Sequence, residues 1–318
     1  MKIAVDVMGG DYGSGEVIGG VLRWLRESEG SVILVGPEQE IAAVLAEHSY
    51  DAARLEVVNA TEVIAMGESP AIAIRRKKNA SIVVATGMVK AGQADAVLSC
   101  GSTGAQMAAA LFILGRMEGI ERPPIVGAIP NARGTHSLLI DVGANVDCRP
   151  GQLVQFGALG SAYASAIQSI AKPRVGLLNN GAEETKGNAA AAEAFTLLKQ
   201  QPKLNFIGNV EGRDLFNGDC EVIVCDGFTG NIVLKAMEGL VLFLAQQTMR
   251  ELGRLPSIYQ AVDYRQVGGA PLLGVKGVSI VCHGSSKSQA IYGGMKIAAQ
   301  CVESRIVEQQ QQSLAELI

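Results

Sequence analysis

The sequence predicts a doubly wound α/β fold, and two observations lead there. Short β-branched runs alternate with helical stretches along almost the whole chain, as parallel strands joined by helical crossovers do. The chain also has 38 glycines, which points to many strand-to-helix turns and not to low complexity.

Taken in order, strands are predicted at residues 2–7, 32–35, 55–58, 96–98, 137–142, 175–178, 206–207 and 221–224. Helices are predicted at residues 15–27, 38–47, 71–90, 105–114, 152–170, 188–199, 231–252 and 288–307, several of them opening after glycine or proline. Residues 308–318, with four consecutive glutamines, fray or continue the last helix. No repeat or linker interrupts the alternation. Residues 1–318 are therefore expected to form a single α/β catalytic domain, with a helical segment around 238–268 protruding from it.

Composition narrows the function. A chain of 318 residues buries a substantial core without a metal or disulfide, and 48% hydrophobic with 18% charged residues is an ordinary globular balance. A net charge of −4 argues against nucleic acid as a partner, which calls for a basic surplus. The six cysteines, Cys100, Cys148, Cys220, Cys225, Cys282 and Cys301, form no C-x-x-C pair and sit in or beside apolar runs, as reduced thiols of a cytoplasmic protein do. Residues 1–10 are too short and too acidic for a signal peptide. The most apolar segment, residues 239–245, falls short of the roughly 20 residues a membrane span requires, so membrane contact is expected to be peripheral.

Three segments run from a β-like stretch through a glycine and hydroxyl-rich turn into a helix: Cys100-Gly101-Ser102-Thr103-Gly104, Asp226-Gly227-Phe228-Thr229-Gly230-Asn231 and His283-Gly284-Ser285-Ser286-Lys287. Such turns aim backbone N–H groups and a helix dipole at one spot, which suits an anion such as phosphate. Capping and packing alone also call for glycine there. In open α/β sheets ligands gather beyond the carboxyl ends of strands, so the three turns are expected to share one cleft. The opening Asp6-Val7-Met8-Gly9-Gly10-Asp11 flanks two glycines with carboxylates, which either position other groups or cap a helix start.

Several chemistries are not supported. There is no G-x-G-x-x-G fingerprint and no Walker lysine, and His48, His136 and His283 lack metal-like spacing, so no cofactor and no metal site is expected. His283 is either a proton donor or phosphate ligand, or a turn-capping residue. Without a G-x-S-x-G elbow a serine acyl-enzyme has no support. An anionic nucleophile such as phosphate needs only to be neutralised, aligned with a carbonyl and met by an oxyanion donor. Lys186 and Asn231 have the chemistry for those tasks, as would many solvated turn residues.

Read from Asp6 to Ser286, the order of these segments resembles the phosphate acyltransferase family of bacterial phospholipid synthesis. The similarity covers nearly the whole chain, through residues 6–11, 101–104, 139–150, 177–187 with Glu183-Glu184-Thr185-Lys186-Gly187, 208–214, 225–231 and 268–274. The resemblance implies transfer of a long-chain fatty acyl group from the thioester of acyl carrier protein to inorganic phosphate, giving acyl phosphate. It also implies a doubly wound three-layer fold like that of isocitrate and isopropylmalate dehydrogenases and phosphotransacetylases, a homodimer, and peripheral attachment to the inner face of the membrane. Lys186 and Asn231 become the leading catalytic candidates. Asp6, Gly9, Gly10, Gly101, Thr103, Gly104, Asn145, His283 and Ser285 become cleft-lining candidates, and Asp11, Ser102, Asp226 and Thr229 join them from the same turns. Two positions depart from the pattern: Ser102 stands where the family commonly has asparagine, and Gly67 where an acidic residue is usual before Ser69-Pro70.

Arg75-Arg76-Lys77-Lys78 is the densest basic run, either a docking patch for the acidic carrier protein or a solvated helix face. Arg250, Arg254 and Arg265 beside Leu255, Ile258 and Tyr259 suit a bilayer surface or a dimer interface. Leu234, Met237, Val241, Leu244 and Thr248 repeat at near-helical spacing, which predicts core or subunit contact for most of helix 231–252. Three rival functions remain: phosphotransacetylase-like transfer from acetyl-coenzyme A, a metal-dependent decarboxylating dehydrogenase of the same fold class, and a non-catalytic membrane scaffold that binds acyl carrier protein.

Overall fold

The first β-branched run forms strand β1 (Lys2–Asp6) in the computed structural model of the chain, which describes residues 1–259 and 268–316. Parallel neighbours β2 (Ser31–Gly36) and then β3 (Leu55–Asn59) extend the sheet on one side of β1. The next strand, β4 (Ala96–Ser99), pairs with β1 on its other side, so the direction of travel across the sheet reverses between β1 and β4. Near the C-terminus β11 (Val278–Cys282) pairs parallel with β4, and β10 (Gly269–Leu272) closes that edge antiparallel, giving the order β10-β11-β4-β1-β2-β3.

Neighbouring residues of a strand face opposite ways, and in this sheet both faces are covered. Val97 joins Ala4 and Ile33 in a cluster with Ile82 and Ala85 of helix α4 (Ser81–Lys90). Leu98 instead faces helix α9 (Ser288–Glu303), where a Cβ at Gly294 would come within 2.9 Å of its side chain. Helix α1 (Ser14–Glu27) lies against α9, and Gly20 is what lets them meet: a Cβ there would sit 2.5 Å from Cβ of Ile291. Around this sheet also lie α2 (Glu38–Leu45), α3 (Pro70–Arg76) and α5 (Thr103–Ala109), the last running into a π-turn at Ala110–Leu114.

A second sheet has the order β5-β6-β9-β7-β8, from β5 (Val126–Pro130), β6 (His136–Ile140), β7 (Arg174–Asn179), β8 (Asn205–Glu211) and β9 (Val222–Val224). β5 is antiparallel to β6 and the other pairings are parallel. Helix α6 (Pro150–Gln168) seats on it through Gly160, where a Cβ would lie 2.6 Å from Val222, and α7 (Ala189–Lys199) packs beside α6. Arg174 and Glu221 tie the starts of β7 and β9, with Nε of Arg174 donating to both carboxylate oxygens at 3.1 and 3.0 Å. Helix α8 (Gly227–Leu252) follows β9, and α10 (Ile306–Ala315) returns to α6 through Ser313, whose hydroxyl donates to the carbonyl of Ala158.

Where the sequence predicts one domain, the contacts divide the chain into two compact units. Unit 1 holds Met1–Met117 and the described part of Val267–Val307, and unit 2 holds Glu118–Gln266, as far as it is described, with the C-terminal residues from Glu308. Alternation of strand and helix cannot show this division, because a strand that joins an old sheet and one that founds a new sheet look alike in sequence. Sequence reading predicts no strand at β5, β10 or β11: β5 and β10 are antiparallel edges whose runs contain Gly127, Pro130, Gly269 and Pro271, residues an edge tolerates and a pattern search rejects, and β11 is implied only as the β-like stretch before the His283 turn. The predicted helix over 71–90 is broken between α3 and α4, because Lys77 leaves helical geometry at φ −93° and ψ 78° and turns its ammonium onto the carbonyl of Val63 and the carboxylate of Glu68.

Helix α8 also differs from expectation. It is long and apolar enough, by length and composition, to cross a membrane, with a mean hydropathy of 1.5 over its most apolar window and 6% of that window buried. Only Gly227 and Gly230 are buried, so Leu234, Met237, Val241, Leu244 and Thr248 are not core within this chain. Part of the segment around 238–268, including Arg265, lies outside the described residues. Replacing Gly20 by valine forces α1 and α9 apart. The unfolding free energy of Gly20→Val, measured in urea, is expected to fall by about 2 kcal/mol, within the usual cost of overpacking.

Candidate active site

In unit 1 the carboxyl ends of β1, β4 and β11 lie side by side, so the strand order itself gathers three of the four predicted turns at the point where the sheet reverses. Gly9, at φ +87°, brings the first turn directly onto the second: a Cβ there would sit 2.8 Å from Cα of Gly101, and the left-handed backbone favours glycine independently. The amide of Asp11 donates to the carbonyl of Gly284 at 2.8 Å, which joins the first turn to the third. Gly10 lies between them, in ordinary contact with Cys100 and the carbonyl of Gly284.

Asp6 is buried beneath these turns. Its carboxylate accepts from Ser99 Oγ at 2.7 Å and from the amide of Met8 at 3.0 Å, while Ser99 Oγ accepts from the amide of Gly101 at 3.1 Å. Burial pushes its carboxyl up from 3.8 to about 6, against the pull of those hydrogen bonds. Neither aspartate caps α1, whose N-cap is Gly13 with no side-chain bond, so Asp6 acts by holding the second turn. Ser102 caps α5, its hydroxyl accepting from the amide of Ala105 at 3.3 Å. In the third turn Nδ1 of His283 accepts from the amide of Ser285 at 3.1 Å, which places the ring proton of the neutral imidazole on Nε2, and the hydroxyl of Ser285 lies 2.6 Å from the same nitrogen.

Unit 2 gathers the other candidates at the ends of β6, β7 and β9. Asp141, fully buried just past β6, accepts five N–H groups: those of Ile125, Gly143 and Ala144 at Oδ1, and the backbone and side-chain amides of Asn145 at Oδ2. Burial pushes its carboxyl up, while those donors favour the ionised form. The side chain of Asn145 donates to the carbonyl of Pro123 at 3.0 Å as well, so its two amide hydrogens lock the loop and are not left to line a cleft. The first turn of α8 sits against this loop backbone to backbone, with the amide of Gly227 donating to the carbonyl of Asn145 at 2.7 Å. Asn231, exposed one turn later, rests on Gly143.

Lys186 projects from the loop after β7. Asn179 donates to its carbonyl at 3.1 Å and to Asn209 Oδ1 at 3.0 Å, and Asn209 donates in turn to the carbonyl of Glu183 at 2.8 Å. The alkyl stem of Lys186 lies over Gly181, and its ammonium meets no carboxylate among the described residues. Cys148, half-buried at the same end of the unit, has its thiol pushed up to about 11 by burial.

The predicted residues thus fall into two groups, one in each unit, and the three helix starts are not equivalent. At α8 the carboxylate of Asp226 accepts from the amide of Thr229 at 2.7 Å and from its hydroxyl at 2.9 Å. At α9 the carboxylate of Glu16 accepts from the amide of Ser288 at 2.7 Å. Both dipoles already hold an anion of the chain, which corrects the expectation that all three turns present free N–H groups. Only α5 begins with a neutral cap, and the amides of Thr103 and Gly104 have no partner among the described residues. Ser99, Asp141, Asn179 and Asn209 were not identified as site residues from sequence. Their signal is positional: each lies at or next to a strand's carboxyl end, or pairs with a residue that does.

A family model described as fatty acid synthesis protein matches residues 1–309. A phosphate acyltransferase of Syntrophomonas wolfei subsp. wolfei is 60% identical over 100% of this chain and 99% of its own length, and that of Pelotomaculum thermopropionicum is 49% identical over 97% and 93%. Among solved structures a phosphotransacetylase from Streptococcus pyogenes matches with a TM-score of 0.67 at 18% identity, over 97% of this chain and 94% of the other, a likeness of fold. The chain belongs to the fatty acid synthesis protein family. Within it, identity along the full length puts the chain among the phosphate acyltransferases.

The state of Asp6 sets a pH dependence. Its folded carboxyl titrates near 6 and its unfolded one near 3.8, so the stability it contributes is present below 3.8 and lost as pH rises to about 6. Measured by urea unfolding, the stability of the wild type relative to Asp6→Asn is expected to decline between pH 4 and pH 7 by on the order of 3 kcal/mol. A flat difference over that range contradicts the raised value.

Proposed function

We propose that this chain transfers a long-chain fatty acyl group from the thioester of acyl carrier protein to inorganic phosphate, giving an acyl phosphate for phospholipid synthesis. The observation that carries the reading is 60% identity along the whole chain to a phosphate acyltransferase. In this reading the turns of unit 1, taken by themselves, suit an anion, with the amides of Thr103 and Gly104 as donors and Gly9, Gly10, Gly101, Ser102, His283 and Ser285 shaping the turns around them. Asp6 and Asp11 hold those turns in register. The ammonium of Lys186 and the amide of Asn231 stabilise the charge that grows on the carbonyl oxygen, Asp226 and Thr229 fix the start of α8, and Asn145 fixes the loop beneath Asn231.

The chemistry balances without a cofactor. An oxygen of monohydrogen phosphate attacks the thioester carbon and forms a tetrahedral intermediate. The carbon–sulfur bond then breaks, and the proton of the phosphate ends on the departing thiol. No acyl-enzyme is needed, because the nucleophile is already anionic.

Surface features support the remaining assignments. Arg75, Arg76 and Lys78 are exposed beside the apolar side chains of Ile72 and Phe112, and the guanidinium of Arg75 stacks 5.2 Å from the Phe112 ring, a combination that suits an acidic carrier protein. Leu240, Phe243 and Leu244 of α8 are exposed large apolar groups, which suits a homodimer contact. Leu252, Leu255 and Ile258 lie near Arg250 and Arg254, which suits peripheral attachment to an anionic membrane face. All six cysteines are free, in keeping with the cytoplasm.

The fold match to a phosphotransacetylase favours one alternative, transfer from acetyl-coenzyme A. Incubating the protein with palmitoyl-acyl carrier protein and phosphate, with hydroxylamine as trap, is expected to give phosphate-dependent hydroxamate. Lys186→Ala and Asn231→Ala are expected to lower that rate by about 100-fold or more, the usual cost of losing an oxyanion donor. Product from acetyl-coenzyme A alone supports the alternative, and carrier binding without any product supports a scaffold.

A further inference from the structure

Unit 2 carries an open groove of about 870 Å³, bounded by the ends of β7 and β9, the start of α7 and the first turns of α8. That volume lies in the range of roughly 300–1,000 Å³ typical of small-molecule sites. Its lining is mostly apolar. Leu153 and Leu177 are buried within it, and Ala190, from α7, and Val233, from α8, contribute half-buried apolar surface. Two further side chains, Val146 and Phe228, converge on it from separate elements while 60% and 57% exposed. Large apolar groups left uncovered at one groove call for an apolar occupant.

Charge narrows the occupant further. Among the described residues lining the groove there is no lysine, arginine or histidine, whereas Asp147 and Asp226 are both present. A phosphate or a nucleotide would meet two carboxylates and no cation there. A neutral chain meets no such penalty. The groove is also continuous with the catalytic candidates: Gly187 and Asn188 line it directly after Lys186, and Thr229 lines it two residues before Asn231.

We propose that this groove of unit 2 holds the hydrocarbon chain of the acyl donor, and that its apolar walls set the chain length the enzyme accepts. The proposal rests on the phosphate acyltransferase reading. In it the thioester carbonyl lies at the Gly187 and Thr229 end and the methylenes run over Leu177, Ala190 and Val233.

Two variants test it, and neither touches the catalytic candidates. Ala190→Trp fills the groove from α7, and Val146→Trp fills it from an exposed loop position where the larger ring does not disturb the core. With palmitoyl- and hexanoyl-acyl carrier protein as donors, phosphate-dependent hydroxamate gives kcat/KM for each. The palmitoyl-to-hexanoyl ratio is expected to fall at least 10-fold in both variants, with hexanoyl transfer within about threefold of wild type. An unchanged ratio overturns the proposal. Equal losses with both donors also overturn it, because they mean that the groove takes the carrier's prosthetic arm or none of the donor. Wild-type protein that yields no phosphate-dependent product from either donor instead defeats the activity reading on which the proposal stands.

Discussion

Asp141 is the group on which the loop geometry of unit 2's candidate site depends. One buried carboxylate gathers five N–H donors from Ile125 and from the loop through Asn145. Those bonds shape a loop whose backbone can be approached at contact distance by the first turn of α8, where a Cβ at Gly230 would fall 1.9 Å from the carbonyl oxygen of Asp141. Asn231 owes its position to that approach. Removing the carboxylate would leave several buried donors without acceptors, a cost of about 1–3 kcal/mol for each.

The distribution of charge at the helix starts is equally selective. Each of three helices begins at a strand's carboxyl end, and dipole arguments alone treat them as interchangeable. The chain distinguishes them with its own side chains. Asp226 and Glu16 occupy the starts of α8 and α9, and a neutral serine caps α5. An external anion therefore competes with a covalently tethered carboxylate at two starts and with none at the third. Asparagine at 102, which the resemblance leads one to expect, would keep this arrangement, since either residue caps through a side-chain oxygen.

Much of the architecture was legible because parallel strands buried on both faces are near-continuous apolar runs, as at Ile3, Ala4 and Val5 or Val222, Ile223 and Val224. What escaped were features fixed by pairing. β5 and β10 are strands only because β6 and β11 lie beside them. The break at Lys77 depends on Glu68, nine residues away and on no shared helix face. For the candidate site, the glycine and hydroxyl-rich turns do lie at strand ends, yet residue type could not separate Asn145, whose amide hydrogens are spent on Pro123 and Asp141, from Asn231, which is exposed. Asn179 and Asn209 escaped for the same reason. They act by holding Lys186's loop through carbonyl oxygens, which have no signature in a side-chain pattern.

Cys148 is the one cysteine not fully buried, and it lines the unit 2 groove. A thiol beside a thioester is ordinarily a hazard, since a thiolate exchanges with it and carries off the acyl group. With the thiol pushed up to about 11, only roughly one molecule in ten thousand is ionised at neutral pH. The desolvation that would favour an alkyl chain in the proposed groove also keeps this half-buried sulfur inert toward transthioesterification.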